Sequence, residues 1–263
     1  QVKGEQKMAK EKKTVSVVSQ EYLSEDVCSM WLQTGDMAQE ARPGQFLSVY
    51  CRDGSRLLPR PISICEIDRV VGRIRIVYRT VGQGTREMAL WKEGDLVEIL
   101  GPLGNGFPDI PKERTAFLIG GGIGIPPMLE LAKTLNCRKK VILGYRDQLF
   151  LNEEFEPYGD VLIATEDGSK GVRGTVLDVV REQKTRADVI MACGPTPMLR
   201  ALKTYAADHD IECYLSLEER MACGVGACLA CVCRTKEVDS HSNVHNRRIC
   251  KDGPVFCAEE VEL

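Results

Sequence analysis

The stretch Thr115-Ala116-Phe117-Leu118-Ile119, followed by Gly120-Gly121-Gly122-Ile123-Gly124-Ile125-Pro126, decides how the middle of the chain is read. A continuous apolar run without alternation marks a strand buried on both faces. The glycines follow it directly, and Pro126 suits the first turn of a helix expected over 126–135. Strand, glycine turn and helix in this order are the context a dinucleotide-phosphate loop requires.

Downstream the same alternation of apolar strand and helix continues. Lys140-Val141-Ile142-Leu143-Gly144 and Val161-Leu162-Ile163-Ala164-Thr165 are expected strands, and Gly174-Thr175 opens a helix through residue 181. Val189-Ile190-Met191-Ala192-Cys193, a helix over 196–209 and Glu212-Cys213-Tyr214-Leu215-Ser216 complete an open parallel α/β sheet over 108–216. Cys193-Gly194-Pro195 ends one of these strands. It therefore shares with Gly121 and Gly122 the carboxyl edge, where such sheets bind ligands. Glu166 and Asp167 follow another strand end, where a solvated acidic turn is the plain reading.

Upstream, over 14–107, the text alternates and is rich in β-formers. Examples are Thr14-Val15-Ser16-Val17-Val18, Phe46-Leu47-Ser48-Val49-Tyr50 and Gly72-Arg73-Ile74-Arg75-Ile76-Val77-Tyr78. Turn signals at Arg42-Pro43-Gly44 and Arg52-Asp53-Gly54-Ser55 separate short strands, the pattern of a small antiparallel barrel. Within it, Arg60-Pro61-Ile62-Ser63 combines a fixed backbone, a bidentate pyrophosphate donor and a hydroxyl that can reach a flavin ring nitrogen. An edge strand with a surface arginine is the plain alternative. Gly82-Gln83-Gly84-Thr85 leads into a helical segment over 86–91, a second phosphate-binding signal.

Over 217–263 the text is irregular, with too little apolar material for its own core, so it is expected to fold around a metal. The chain has 12 cysteines, and six of them stand from Cys223 onward. Cys223, Cys228 and Cys231 have the spacing C-x4-C-x2-C, with Cys250 further on, as in plant-type [2Fe–2S] ferredoxins. Gly224, Gly226 and Ala227 let the backbone curl closely around the sulfurs. A zinc site is the chief rival, but zinc usually takes paired short knuckles. Cys233 is too near Cys231 to share the role, whereas Cys257 remains a second candidate for the fourth ligand.

Length and composition set the outer bounds. The 263 residues suit two domains and a small module, and the net charge of −3 gives no bulk attraction to nucleic acid or acidic membrane. No apolar stretch approaches the roughly 18 residues that cross a bilayer. Residues 1–13 read as a polar tail without a secretory core, Met8 as a natural start after a foreign extension, and the protein as cytoplasmic.

Taken together, Arg60-Pro61-Ile62-Ser63, Gly120-Gly121-Gly122-Ile123-Gly124-Ile125-Pro126 and Cys193-Gly194-Pro195 resemble the ferredoxin–NADP reductase superfamily. The segment from Ser216 to Cys228 and Cys250-Lys251-Asp252-Gly253-Pro254-Val255-Phe256 resemble more closely the electron-transfer subunits of NAD-dependent (class 1B) dihydroorotate dehydrogenases. The resemblance implies FAD beside Arg60, Pro61, Ile62, Ser63, Val77, Tyr78 and Arg79, with its phosphates at Gly84 and Thr85. It implies NAD at Gly121, Gly122 and Cys193, with Glu166 and Asp167 near the nucleotide ribose, which favours NAD over NADP, and a [2Fe–2S] cluster on Cys223, Cys228, Cys231 and Cys250. No general base or nucleophile is implied. The implied partner is an FMN-containing dihydroorotate dehydrogenase catalytic subunit, in a heterotetramer with two copies of each. Electrons would pass through the cluster and FAD to NAD⁺, in pyrimidine biosynthesis. The nearest rival is the flavin subunit of a bifurcating NADH-dependent ferredoxin–NADP reductase, sulfide dehydrogenase or hydrogenase. Those relatives often carry aspartate where Cys223 stands. A non-enzymatic iron–sulfur regulator would need neither nucleotide motif. Val225, Leu229, Val255 and Phe256 are expected to form a docking face beside the cluster, with inward packing onto the barrel as the plain alternative.

Overall fold

The computed structural model describes residues 11–238 and 243–263. Most of the expected polar tail lies outside them. Strand β1 (Glu11–Tyr22) nevertheless begins three residues earlier than the barrel start expected at Thr14. Its charged opening has no apolar alternation to betray it, and is held instead by pairing with Leu100 and Gly101.

Six strands close the barrel. After β1 come β2 (Val27–Gln33), the short helix α1 (Met37–Glu40), β3 (Phe46–Tyr50), β4 (Arg60–Asp68) and β5 (Arg73–Arg79). Helix α2 (Gln83–Met88) precedes β6 (Leu96–Leu103), and the strand order around the barrel is β1-β2-β5-β4-β3-β6. Period-two alternation sends Met30, Leu32, Leu47, Val49, Ile74 and Ile76 into the interior. Helix α2 starts three residues before the expected segment. The Thr85 hydroxyl folds back on Gly82, taking up Gln83 and Gly84 into the first turn.

The second unit contains β7 (Thr115–Gly121), α3 (Pro127–Thr134), β8 (Arg138–Tyr145), β9 (Asp160–Thr165), β10 (Val172–Arg173), α4 (Val176–Glu182), β11 (Val189–Cys193), α5 (Thr196–Asp208) and β12 (Glu212–Ser216). In β7 and β11 every residue is buried. Ala116, Leu118, Val189 and Met191 face the side covered by Met128 and Leu129 of α3. Phe117, Ile119, Ile190 and Ala192 face the side covered by α4 and α5 through Val179, Val180, Leu199 and Leu202.

The C-terminal segment adds β13 (Val232–Arg234) and β14 (Asn246–Arg248), which pair with each other, then α6 (Ile249–Asp252) and β15 (Val255–Cys257). It is not a separate body. Strand β15 joins the nucleotide sheet antiparallel to β12, giving the order β10-β9-β8-β7-β11-β12-β15. The Asn105 amide donates to the carbonyl of Val255 at 2.7 Å and accepts from its N–H at 3.0 Å, fastening the segment to the end of the barrel.

Barrel and sheet are locked by charge as well as apolar contact. The Glu130 carboxylate, fully buried on α3, accepts from the Ile67 N–H at 3.0 Å and the Arg69 guanidinium at 3.1 Å. Arg75, buried on β5, donates to Glu154 at 3.1 Å. Among the described residues no helix is long and apolar enough to cross a membrane.

Candidate functional site

Strand β4 opens at Arg60, where cross-strand pairs to β3 hold Arg60, Pro61, Ile62 and Ser63 opposite Val49, Ser48, Leu47 and Phe46. The Arg60 guanidinium then crosses to α2 and lies on Gly84. A Cβ at Gly84 would stand 2.1 Å from Arg60 Nε, so only glycine lets the side chain rest there. First-turn N–H groups of a helix have no intrahelical acceptor. Arg60 and the start of α2 thus present donors from two directions. The Thr85 hydroxyl is already used, accepting from the N–H groups of Val81 and Gly82, both at 3.1 Å. Thr85 therefore has its backbone N–H, not its hydroxyl, left to face a phosphate.

The three residues expected beside the flavin on β5 separate. Val77 packs toward the nucleotide unit with Ile125, and Arg79 pairs with Asp26 at 3.2 Å. The Tyr78 side chain turns into the barrel core, where its hydroxyl donates to Gln20 at 3.2 Å and burial pushes its pKa up. At Tyr78 only backbone is left for a ligand.

The residues expected at the nucleotide, Gly121, Gly122 and Cys193, lie close together at one sheet edge. Cys193 lies opposite Gly120 at the carboxyl ends of the parallel pair β11 and β7. A Cβ at Gly124 would stand 2.4 Å from the Cys193 carbonyl oxygen, and one at Gly194 would stand 3.2 Å from Gly121 Cα. Gly122 has φ +53° and open space where a side chain would be, leaving bare backbone toward a ligand. The turn at residues 122–124 lies against β5, which brings nucleotide loop and flavin strand together. Glu166 and Asp167 sit exposed beyond β9 at the same sheet edge, and Asp167 accepts from the Ser169 N–H at 3.0 Å.

Burial pushes the Cys193 thiol up to about 12, the Glu218 carboxylate adding to the effect, so the thiol is neutral at physiological pH. Glu218 stands in the Ser216–Cys228 segment that carries the resemblance, where only its charge sets it apart. Much of its surface meets solvent, yet protein surrounds it closely enough to push its carboxyl up, as in a cleft.

In the cysteine segment, Gly224 (φ +69°) and Gly226 (φ +84°) take left-handed conformations that favour glycine. These turns aim the N–H groups of Val225 and Ala227 at the Cys223 sulfur, at 3.4 and 3.3 Å. Partial burial raises the Cys223 thiol, but N–H donation from Val225, Cys228 and Ala227 outweighs it and brings it down to about 6. Cys231 and Cys250 are both 1% exposed, and the Cys250 N–H donates to the Cys231 sulfur at 3.4 Å. Cys250 itself is pushed up to about 12, by burial and then by the neighbouring Cys231 and Cys223 thiols.

Two thiol pairs therefore meet, Cys223 with Cys228 and Cys231 with Cys250. This donor set fits two irons, each taking one pair. Among the described residues no three His, Cys, Asp or Glu side chains close around a single ion. The other candidates are engaged elsewhere. The Cys233 thiol donates to the Arg247 carbonyl at 3.6 Å, and Cys257 lies opposite Tyr214 in the nucleotide sheet, near Cys213.

The expected docking face is corrected in part. Val225 and Leu229 are 41% and 51% exposed, but Val255 and Phe256 are 4% and 3% exposed. The last two are consumed in joining the segment to β12 and the core.

Comparison with known proteins agrees with this arrangement. Residues 218–262 match the model of the iron–sulfur cluster binding domain of dihydroorotate dehydrogenase B. The dihydroorotate dehydrogenase B (NAD(+)) electron transfer subunit of Bacillus velezensis is 44% identical over 258 residues, covering 95% of this chain and 98% of the relative. That of Geobacillus kaustophilus is 46% identical with the same coverage. Among solved structures, an NADH-dependent reduced ferredoxin–NADP oxidoreductase, described in terms of flavin-based electron bifurcation, superposes with a TM-score of 0.85 at 29% identity, covering 94% of this chain and 89% of that one. Phthalate dioxygenase reductase shares the fold, with a TM-score of 0.63 at 18% identity, covering 91% and 94%. With its cysteine loop, its barrel and its nucleotide sheet all matched in relatives of nearly the same length, the chain belongs to the family of dihydroorotate dehydrogenase B (NAD(+)) electron transfer subunits.

Proposed function

We propose that this chain links a dihydroorotate-oxidising partner to NAD⁺ through FAD and a [2Fe–2S] cluster. The observation that carries the reading is the meeting of three motifs at one junction. The strand bearing Pro61 lies beside Ser48, Ser48 lies against Gly224 of the cysteine loop, and β5 lies against the Gly122–Gly124 turn.

This reading gives each residue a role. Cys223 and Cys228 hold one iron, and Cys231 and Cys250 the other. Arg60 and the Gly84-Thr85 backbone bind the FAD pyrophosphate, while Pro61, Ile62, Ser63, Val77, Arg79 and the Tyr78 backbone border the ring. Gly121, Gly122 and Cys193 border the nicotinamide. When bound, flavin and cluster together supply the exchange between one- and two-electron chemistry. The protein's own task is to hold them in order and keep water from the junction, and the neutral Cys193 thiol places no charge there.

The partner in this reading is an FMN-containing catalytic subunit, two copies of each chain form the complex, and the setting is the cytoplasm. Exposed Val225 and Leu229, beside exposed Cys228, are the apolar surface left for that partner. The domains of the reading are the barrel to residue 107, the nucleotide unit over 108–216 and the cluster segment over 217–263. Anaerobic purification with iron, sulfide and flavin analysis, followed by titration with NADH, tests it. Two irons and one FAD per chain, both reduced by NADH, are expected. A chain with iron but no flavin would contradict it.

A further inference from the structure

Ser48 occupies the middle of β3, where Leu47 and Val49 on either side point into the barrel core. Alternation turns Ser48 to the outer face, between Pro61 on β4 and Leu100 on β6. An irregularity in the β3–β6 register falls between Phe46 and Ser48, the kind of feature that re-aims a side chain. The cysteine segment covers this face, with Phe46 and Leu103 packing in one cluster with Cys231, Ile249, Cys250 and Phe256.

Ser48 is 0% exposed, and its hydroxyl has no hydrogen-bond partner among the described residues. Buried hydroxyls are almost always partnered, because desolvation without a bond is costly. The backbone beside it is Gly224, where a Cβ would stand 2.9 Å from Ser48 Oγ. Gly224 directly follows Cys223, whose sulfur already receives backbone N–H groups, those of Val225 and Ala227 among them. A further donor thus stands on the barrel side of the same loop. Its strand neighbour, Pro61, belongs to the flavin motif.

We propose that the Ser48 hydroxyl donates a hydrogen bond to the sulfur shell of the [2Fe–2S] cluster on its Cys223 side. It is a positioning residue that raises the cluster's reduction potential at the edge facing the flavin. The inference rests on the ligand set proposed above. The physical basis is charge. Reduction adds an electron to the cluster, a donor to sulfur stabilises the more negative state, and hydrogen bonds to the sulfurs are among the determinants of potential. Removing the donor therefore makes the cluster harder to reduce.

The test uses the full chain, loaded with cluster and FAD, in wild-type, Ser48→Ala and Ser48→Thr forms. The potential is read by titration monitored by the electron paramagnetic resonance of the reduced cluster, and flavin absorbance is followed in parallel. Ser48→Ala is expected to keep its iron and lower the equilibrium constant for cluster reduction by roughly threefold to tenfold, tenfold being about 59 mV for one electron. The flavin potential should stay in place, and Ser48→Thr, which keeps the hydroxyl, should return the cluster toward the wild-type value. An unchanged cluster potential in iron-replete Ser48→Ala overturns the proposal, as does an equal shift in both variants. Loss of iron from both variants would also overturn it, assigning Ser48 to loop packing. Absence of iron from the wild-type chain would instead count against the ligand set.

Discussion

Gly124 backs onto the carbonyl of Cys193, where a Cβ would lie 2.4 Å from the oxygen. The two motifs proposed to border the nicotinamide, far apart in sequence, are thus in backbone contact, and no side-chain rotation can relieve an intrusion between them. Gly124→Ala is expected to cost about 1–3 kcal/mol as an overpacking change and to raise KM for NADH. FAD and iron content should stay as in wild type. Thermal unfolding and steady-state kinetics with an artificial acceptor check this, and an unchanged KM would separate Gly124 from the nucleotide site.

At the flavin end the tight spot is different in kind. The Cβ of Gly84→Ala would meet the flexible Arg60 side chain, Nε at 2.1 Å, and not backbone. The fold should survive while the guanidinium is displaced. Hydrogen bonds to charged groups contribute about 1.5–3 kcal/mol, so FAD affinity should fall at least about tenfold. Arg60→Ala should do the same. Equilibrium dialysis of the flavin measures both, and full retention of FAD by both variants would point to a structural role for Arg60.

The cysteine assignments divide cleanly. Cys228→Ser, Cys231→Ser and Cys250→Ser should each lose the cluster and keep FAD, because Arg60 and α2 lie in another segment. Cys257→Ser should keep its iron, since Cys257 sits opposite Tyr214 in the sheet. Full iron in Cys250→Ser with loss in Cys257→Ser would exchange the two roles.

Glu130 is the buried charge that ties α3 to the barrel, accepting from Ile67 and Arg69. Glu130→Ala leaves the buried Ile67 N–H without its acceptor, while Arg69, 39% exposed, keeps water and the Ala41 carbonyl, so the cost expected is that of one unsatisfied buried donor, about 1–3 kcal/mol. Chemical denaturation should show the loss directly. A change below about 1 kcal/mol, within the range of exposed pairs, would mean the contact is surface-like.

Much of this was legible in the residues, for physical reasons that differ from place to place. Strand β11 ends where its apolar run ends, at Cys193, because a strand buried on both faces cannot hide a polar boundary. The cluster loop was legible because three thiolates and two glycines at fixed spacing have few other uses. The start of β1 was not. Glu11, Lys12 and Lys13 have no alternation, and Lys12 is held by Glu98 across the sheet. Nor was the fate of Val255 and Phe256, since a three-residue strand has no period, and their burial depends on β12, distant in sequence. The inward turn of Tyr78 and the isolation of the Ser48 hydroxyl are likewise set by tertiary contact. Alternation alone could place each on a face, but not name its neighbours.

The most direct test of the account is to assay the purified chain for NAD⁺-linked dihydroorotate oxidation, alone and mixed with an FMN-containing dihydroorotate dehydrogenase catalytic subunit. Alone, it should pass electrons from NADH to artificial acceptors and form no orotate. With the second subunit, NADH and orotate should appear in equal amounts, and this coupling should vanish in Cys231→Ser. Steady orotate formation by this chain alone, or coupled turnover that survives loss of the cluster, would contradict its role as the electron-transfer subunit.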